Sequence, residues 1–542
     1  MDDNDKPILK DVNKSGPLII PSNGTTNTTP IKPESSSTPE ILASVAAASI
    51  NIQVGLILAY SAILIPELVK EDSELKVSTT EISWIASVIS LLAPVGSFLG
   101  GFCMEWTGRI KAMEVSMVPY LLGWIIIALS QNVFQLIFGR CLCGLSMSMS
   151  ANACNVYIAE VSRPKLRGSL MSVGSLFISF GMLLIYLQGF LIKSWRTTAW
   201  LCVLYGLIPL FAIIIYSSPS PVWLVTQNRI EEAKKSLKFL LRMDKSSSML
   251  VDLKLKELIA EKQLRERHND TRSYLTKFVD TVRKPQTYKP FWILLVLFFL
   301  QQFTGLYIIL VFAVPIFKEM GSKQDPYISS IWLGVLRLIM SVLTTYALRS
   351  FGRRKLCIFS GFVMTVAMFL SGYFIHTGLH QQDSILKWIP VLCMLVFISA
   401  ATPGLMTIPW MISAEMFPHE VRGIIQGPVM AWANIIMFAA IKTYPSMSEF
   451  FGGVYRVHWF FAIMSFVSIV FVWLFMPETH NRKLIEIEHY FRHNSCYITR
   501  NEEAERKFIL SSLNQIEDGE RREALIINVG GEKDVDEEKE AN

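Results

Sequence analysis

The chain is 542 residues long, 51% apolar and only 18% charged, with a formal net charge of +6 and a mean hydropathy of +0.38. Its charges cluster between long stretches that carry almost none, the composition of a polytopic membrane protein, because about 20 consecutive apolar residues cross the hydrocarbon. A soluble enzyme is excluded on that ground, and the modest basic excess, confined to particular loops, reports topology rather than a nucleic-acid partner.

Residues 1–40 are polar and rich in Ser, Thr, Pro and Asn, so they read as a disordered tail. No basic start followed by a short apolar run marks a signal peptide. Asn13, Asn23 and Asn27 begin sequons that read as chance matches, because charge places this tail inside the cell. Apolar helical segments then follow at about 41–65, 82–104, 113–131, 133–159, 169–192 and 197–217, and resume at about 290–317, 327–348, 355–376, 387–412, 421–443 and 455–476. The organisation is an all-α membrane protein of twelve helices: a six-helix bundle over 41–217, a linker over 218–289, a second bundle over 290–476 and a tail over 477–542. In the linker, Ile230 to Leu241 and Leu250 to Leu264 carry apolar residues at three- and four-residue spacing and read as amphipathic helices.

Charge sets the orientation. Arg109 and Lys111 follow the second segment, Arg163, Lys165 and Arg167 the fourth, Arg349, Arg353, Arg354 and Lys355 the eighth, and Arg422 the tenth. The positive-inside rule places these loops, the linker and both termini in the cytosol. Of the eight cysteines, only Cys496 lies in a clearly polar segment, and the rest read as small buried thiols. Cys141 and Cys143 are too close together for a zinc knuckle, so no metal site or cofactor is expected.

The halves repeat each other. Glu105-Trp-Thr-Gly108-Arg109 after the second segment corresponds to Arg349-Ser-Phe-Gly352-Arg353-Arg354 after the eighth, and Glu160 to Gly168 after the fourth corresponds to Glu415 to Gly423 after the tenth. Glu and Arg recur seven residues apart in the latter pair, which points to internal duplication. Together with Gly139-Arg140, Gly144, Tyr157, Ser-Pro-Val-Trp-Leu at 220–224, Gln301-Gln302-Phe-Thr-Gly305, Pro409-Trp410 and Pro477-Glu478-Thr479, these motifs resemble the sugar porter family of the major facilitator superfamily over nearly all of residues 41–490. The Ser-Pro-Val-Trp-Leu form is most similar to the insect facilitated trehalose transporter branch.

That resemblance implies a facilitator of a small neutral sugar, trehalose or a hexose, in the plasma membrane, with the bilayer as its surroundings and no catalytic residue or obligate protein partner. It also implies a cytosolic latch made of Arg109, Arg140, Glu160 and Arg167 in the first half with Arg353, Glu415 and Arg422 in the second, since ion pairs that form in only one packing set the balance between packings. Arg349 takes the place of the acid that usually precedes Gly-Arg in the second copy. Sugar hydroxyls both donate and accept, so amides and indole faces suit them. Gln301, Gln302, Thr304 and Trp410 are therefore candidate contacts, joined by Tyr186, Tyr307 and Asn434 where the family commonly has other ligands. A buried Gln pair used for interhelical hydrogen bonds is the competing reading. Arg337 stands inside the eighth segment, where it could meet an anionic solute, face an aqueous vestibule or pair internally. Proton-coupled members carry an Asp in the first helix, whereas no Asp, Glu or His lies between Ile41 and Ile65, which favours facilitated diffusion. A carrier of another polyol or organic anion and a non-transporting nutrient receptor are the alternative functions.

Overall fold

Short polar caps set where many of the helices begin. Ser78 and Glu81 form a reciprocal capping box, while Asn132, Ser194, Ser220 and Asp325 each accept a backbone N–H of the turn they open. Pro164, Pro221, Pro285 and Pro326 occupy first-turn positions, where the missing N–H costs nothing. The computed structural model describes residues 38–241, 248–267, 283–320, 325–377, 386–417, 419–480, 482, 484–494 and 497. The sequons lie outside these residues.

Among the described residues, twelve helical stretches are long and apolar enough to cross a membrane. In the first half they are α1 (Thr38–Ser49) continued by α2 (Asn51–Leu68), then α3 (Thr79–Thr107), α4 (Arg109–Leu129), α5 (Val133–Val161), α6 (Pro164–Ile192) and α7 (Trp195–Tyr216). Between the halves lie α8 (Pro221–Thr226), α9 (Ile230–Leu241) and α10 (Ser248–Arg267). Their apolar faces share a small core around Trp223, Leu237 and Val251. Lys234 also donates to Asp252 at 2.7 Å, which holds that carboxyl below its ordinary range.

The second half opens with α11 (Pro285–Phe303), α12 (Leu306–Val311) and α13 (Ala313–Glu319). It continues with α14 (Pro326–Ser350) and α15 (Arg353–Thr377). Next come α16 (Ile389–Ala401), a π turn over Thr402–Met406 and α17 (Ile408–Glu415), and then α18 (His419–Phe451), α19 (Val454–Phe475) and α20 (Leu484–His493).

Helical structure extends into both segments expected as tails. The first helix starts at Thr38, and Glu40, only 2% exposed, pairs with Arg163 at 2.9 Å. At the other end, α20 buries Ile487, Tyr490 and Phe491 on one face. Gln286 donates to Glu488 at 2.8 Å and Lys289 to the Asn494 carbonyl at 3.0 Å, tying α20 to α11.

Small residues bring the helices of the first half together. A Cβ on Gly55 would fall 2.1 Å from the Ile178 carbonyl, and one on Gly96 2.4 Å from that of Leu145. The halves meet through α6 against α14 and α3 against α18. At the end remote from the basic loops this contact is closed. Lys442 donates to Ser83 at 2.9 Å and sits 4.0 Å from the Trp84 ring, Trp84 packs on Phe438 at 5.7 Å, and Tyr327 donates to Glu67 at 3.4 Å.

Candidate functional site

The duplication is visible atom by atom at the basic-loop end. Gly108, with φ 91°, turns the chain between α3 and α4 under the Trp223 ring and delivers Arg109. Arg109 donates through Nε and Nη2 to Glu160 Oε1 at 3.0 and 2.6 Å, and Ser220 donates to the other oxygen at 2.5 Å. In the second half Arg353 donates to Glu415 Oε1 at 3.4 Å, and Thr479 donates to the other oxygen at 2.7 Å. Glu478 accepts the backbone N–H groups of Arg353 and Arg354 at 2.8 and 3.2 Å, and His480 also contacts Arg353. Ser220 and Thr479 complete the two clusters; neither was among the residues expected from the sequence. Their signal is that Ser-Pro-Val-Trp-Leu and Pro-Glu-Thr both follow the last span of a half.

In this conformation the residues expected to form the latch do not make up one set. Arg167 is exposed and, among the described residues, donates only to the Ser162 carbonyl, at 3.4 Å, because Glu160 is already occupied by Arg109 and Ser220. Each cluster lies inside one half, so in this conformation neither ties the halves together. Arg140 is remote from both clusters. It is fully buried and donates to the carbonyls of Ile85 at 3.2 Å and Ile57 at 3.0 Å and to the Ser61 hydroxyl. A buried guanidinium survives where its donors are spent on oxygens, and here two backbones and a serine provide them. The side chain of Arg422 lies outside the described residues.

The central region is built on two broken spans. The seventh breaks between α11 and α12 at Thr304 and Gly305, where φ is 87° and a Cβ would meet the Phe461 ring at 2.6 Å. The tenth breaks at the π turn, where Gly404 has φ −111° and ψ −105°. Backbone groups freed at such breaks need partners, and broken helices in a membrane protein mark cavities or packed joints. Gln301 serves the joint: its amide donates to the Leu405 and Met406 carbonyls at 2.6 and 3.2 Å. Thr304 donates to the Gln301 carbonyl at 2.7 Å, so this pair braces backbone instead of presenting a polar face to a solute. Tyr186 from α6 donates to the Leu310 carbonyl at 2.9 Å across the halves, and its fully buried ring lies against Gly334 of α14.

Other groups remain available. Gln302 donates to Gln301 at 3.3 Å, while its own buried carbonyl oxygen has no partner. Trp410 packs edge-on against Phe298 at 5.1 Å, and its indole N–H, close to the Tyr307 hydroxyl, makes no well-formed hydrogen bond. Asn434 donates within α18 to the Met430 carbonyl at 2.8 Å and is half-buried. Trp432, which was not expected from the sequence, is fixed by a 3.0 Å bond to the Leu295 carbonyl and is also half-buried. Amide oxygens and indole edges without partners are what a polyhydroxylated ligand can satisfy.

A family model described as "Sugar (and other) transporter" matches residues 40–491. The chain is 29% identical over 462 residues to the facilitated trehalose transporter Tret1 of Apis mellifera ligustica, covering 84% of this chain and 88% of that protein. It is 27% identical to the protein of that name from Drosophila pseudoobscura pseudoobscura, of which it spans 51%. The solved structure of the proton:xylose symporter XylE bound to 6-bromo-6-deoxy-D-glucose has the same fold, with a TM-score of 0.67 and 21% identity over 84% of this chain and 100% of that one. With two pseudo-symmetric charge clusters, two broken spans and a match over most of its length, the chain belongs to the sugar (and other) transporter family.

Proposed function

We infer that this chain is a facilitative carrier of a small neutral sugar, trehalose or a hexose, and that it works in the plasma membrane by rocking two six-helix halves about a central site. The observation that carries this reading is the joint between the two broken spans, where the groups left without partners are the Gln302 amide oxygen and the Trp410 indole N–H, neutral groups suited to sugar hydroxyls. Gln302, Tyr307, Trp410, Trp432 and Asn434 are the proposed solute contacts, with the Tyr186 ring as a wall. Relatives named as facilitated trehalose transporters favour a sugar as the solute.

The positive-inside rule puts the basic loops in the cytosol, so the conformation described is closed toward the outside. In each half, one charge cluster holds the basic loop, the span end and the segment that follows as a unit, which suits rigid-body motion. Proton coupling needs an ionisable group that changes exposure. Arg140 reaches the first span through Ser61 and the Ile57 carbonyl, where no carboxylate stands.

Purified protein in liposomes, challenged with disaccharides, hexoses and polyols, tests the reading. Saturable uptake of a neutral sugar that stops at equilibrium and ignores a protonophore is expected. Accumulation that collapses with the pH gradient would overturn it.

A further inference from the structure

Arg337 is the interior cation that the transport reading leaves unused. It lies mid-way along α14, is 5% exposed, and faces α6 and the broken seventh span instead of lipid. Its Nη1 meets the Met182 sulfur at 2.7 Å, and its Nε has no partner. The hydroxyls of Tyr186 and Tyr307 lie within its electrostatic reach, and that of Tyr186 is already donated to Leu310. A thioether is a weak acceptor and a phenol is neutral, so nothing in this set balances the charge. Among the acids on this side, Glu319 at the end of α13 lies near Tyr444 and not among the groups that act on Arg337, and those nearest the start of α14 are Glu67, bound to Tyr327, and Asp325, the helix cap. Tyr327 is ten residues before Arg337, roughly 15 Å along the helix axis, too far for either acid to form an ion pair.

Arg140 provides the comparison within the same molecule. That guanidinium is equally buried, yet it is held by three oxygen acceptors, the pattern of a structural arginine. Arg337 lacks that set. Through Tyr307, which reaches toward the Trp410 indole, it borders the proposed sugar site.

We propose that Arg337 is a specificity-determining residue that lets the central site accept sugars bearing a single carboxylate in addition to neutral sugars. The guanidinium fork matches a carboxylate in a two-point contact while the amides and indoles hold the hydroxyls. A carboxylate is favoured over a phosphate because one cation balances one charge, and a dianion would leave excess charge buried. The proposal rests on the sugar-transport reading and widens its substrate range.

The test uses the full chain in liposomes and measures competition against uptake of a neutral hexose by glucuronate, gluconate and their neutral parents. Glucuronate should compete at least tenfold better than glucose, and its own uptake should quicken with an inside-positive potential, because each transported anion carries charge. In Arg337→Gln the ratio of the two half-inhibitory concentrations should collapse toward one, while Arg337→Lys should retain part of it. Each ratio compares two solutes on the same protein, so reduced yield of a variant does not mimic the result. Neutral sugars that compete while the acids do not would overturn the proposal and leave the sugar reading standing. Failure of both classes to compete would overturn the two together.

Discussion

Lys442→Met probes the closed outer gate. The substitution removes a charge-assisted hydrogen bond to Ser83 at 2.9 Å and a cation–π contact with Trp84 at 4.0 Å. Such groups contribute about 1.5–3 and about 0.5–2 kcal/mol respectively. Lys442 is only half-buried, and Met still packs on the indole, so a net loss of about 1–2 kcal/mol is the reasonable figure. That corresponds to a shift of about 5- to 30-fold in the ratio of closed to open forms. The loss falls on one state alone, because both contacts bridge the halves.

A cysteine at Ser87 reports the shift. Ser87 is buried one turn deeper on the same face and donates to the Ser83 carbonyl at 2.6 Å. In Ser87→Cys carrying Lys442→Met, a membrane-impermeant thiol reagent added outside should react several-fold faster than in Ser87→Cys alone. Uptake should change in turnover before it changes in apparent affinity. An unchanged labelling rate in well-folded protein would refute the gate, and faster labelling from the cytosolic side would reverse the assigned orientation.

Gln301→Leu should act mainly on folding, since it strips the Leu405 and Met406 carbonyls of their donor at a cost of about 1–3 kcal/mol; a lowered Tm is the check. Trp410→Leu and Gln302→Leu should instead cut sugar uptake about tenfold in protein of near-normal Tm, an interaction worth about 1.4 kcal/mol, and normal uptake by both would remove them from the site. Glu160→Gln and Glu415→Gln should lower Tm without changing labelling at Ser87→Cys, because each cluster braces one half; selective slowing, the mark of a weakened outward-open form, would show that they hold the halves together at the basic-loop end. Arg140→Met strands three oxygens, two of them backbone, and should cost about 3 kcal/mol or more, read as loss of monodisperse protein.

The spans were legible because the bilayer allows few alternatives: long apolar runs, basic loops and repeated Gly-Arg and Glu-to-Arg spacings each report one strong constraint. The charge clusters were half legible. Glu160 and Glu415 stood out by repetition, but the choice of Arg109 over Arg167 depends on which chain the turn at Gly108 delivers, and a linear motif does not show that. Arg140 misled because it neighbours Gly139 in a motif-rich stretch. Its position near the start of α5 places it at the opposite end from the latch, where backbone carbonyls of two other helices receive it. Gln301 and Gln302 are adjacent in sequence and diverge in role, because the π turn exposes carbonyls to one and not to the other. The tail ends were missed for a simpler reason. Short amphipathic pieces such as α20 give a weak periodic signal until the surface they cover is known.

The most direct test of the central claim is counterflow. Liposomes containing the purified chain are loaded with a high concentration of unlabelled trehalose or hexose and diluted into a trace of labelled sugar, with a protonophore present throughout. A transient overshoot of label inside is expected, since a carrier with one alternating site exchanges inner sugar for outer sugar without any ion gradient. Label that rises monotonically to equilibrium under these conditions, whether or not a parallel sample without the protonophore overshoots, would contradict it.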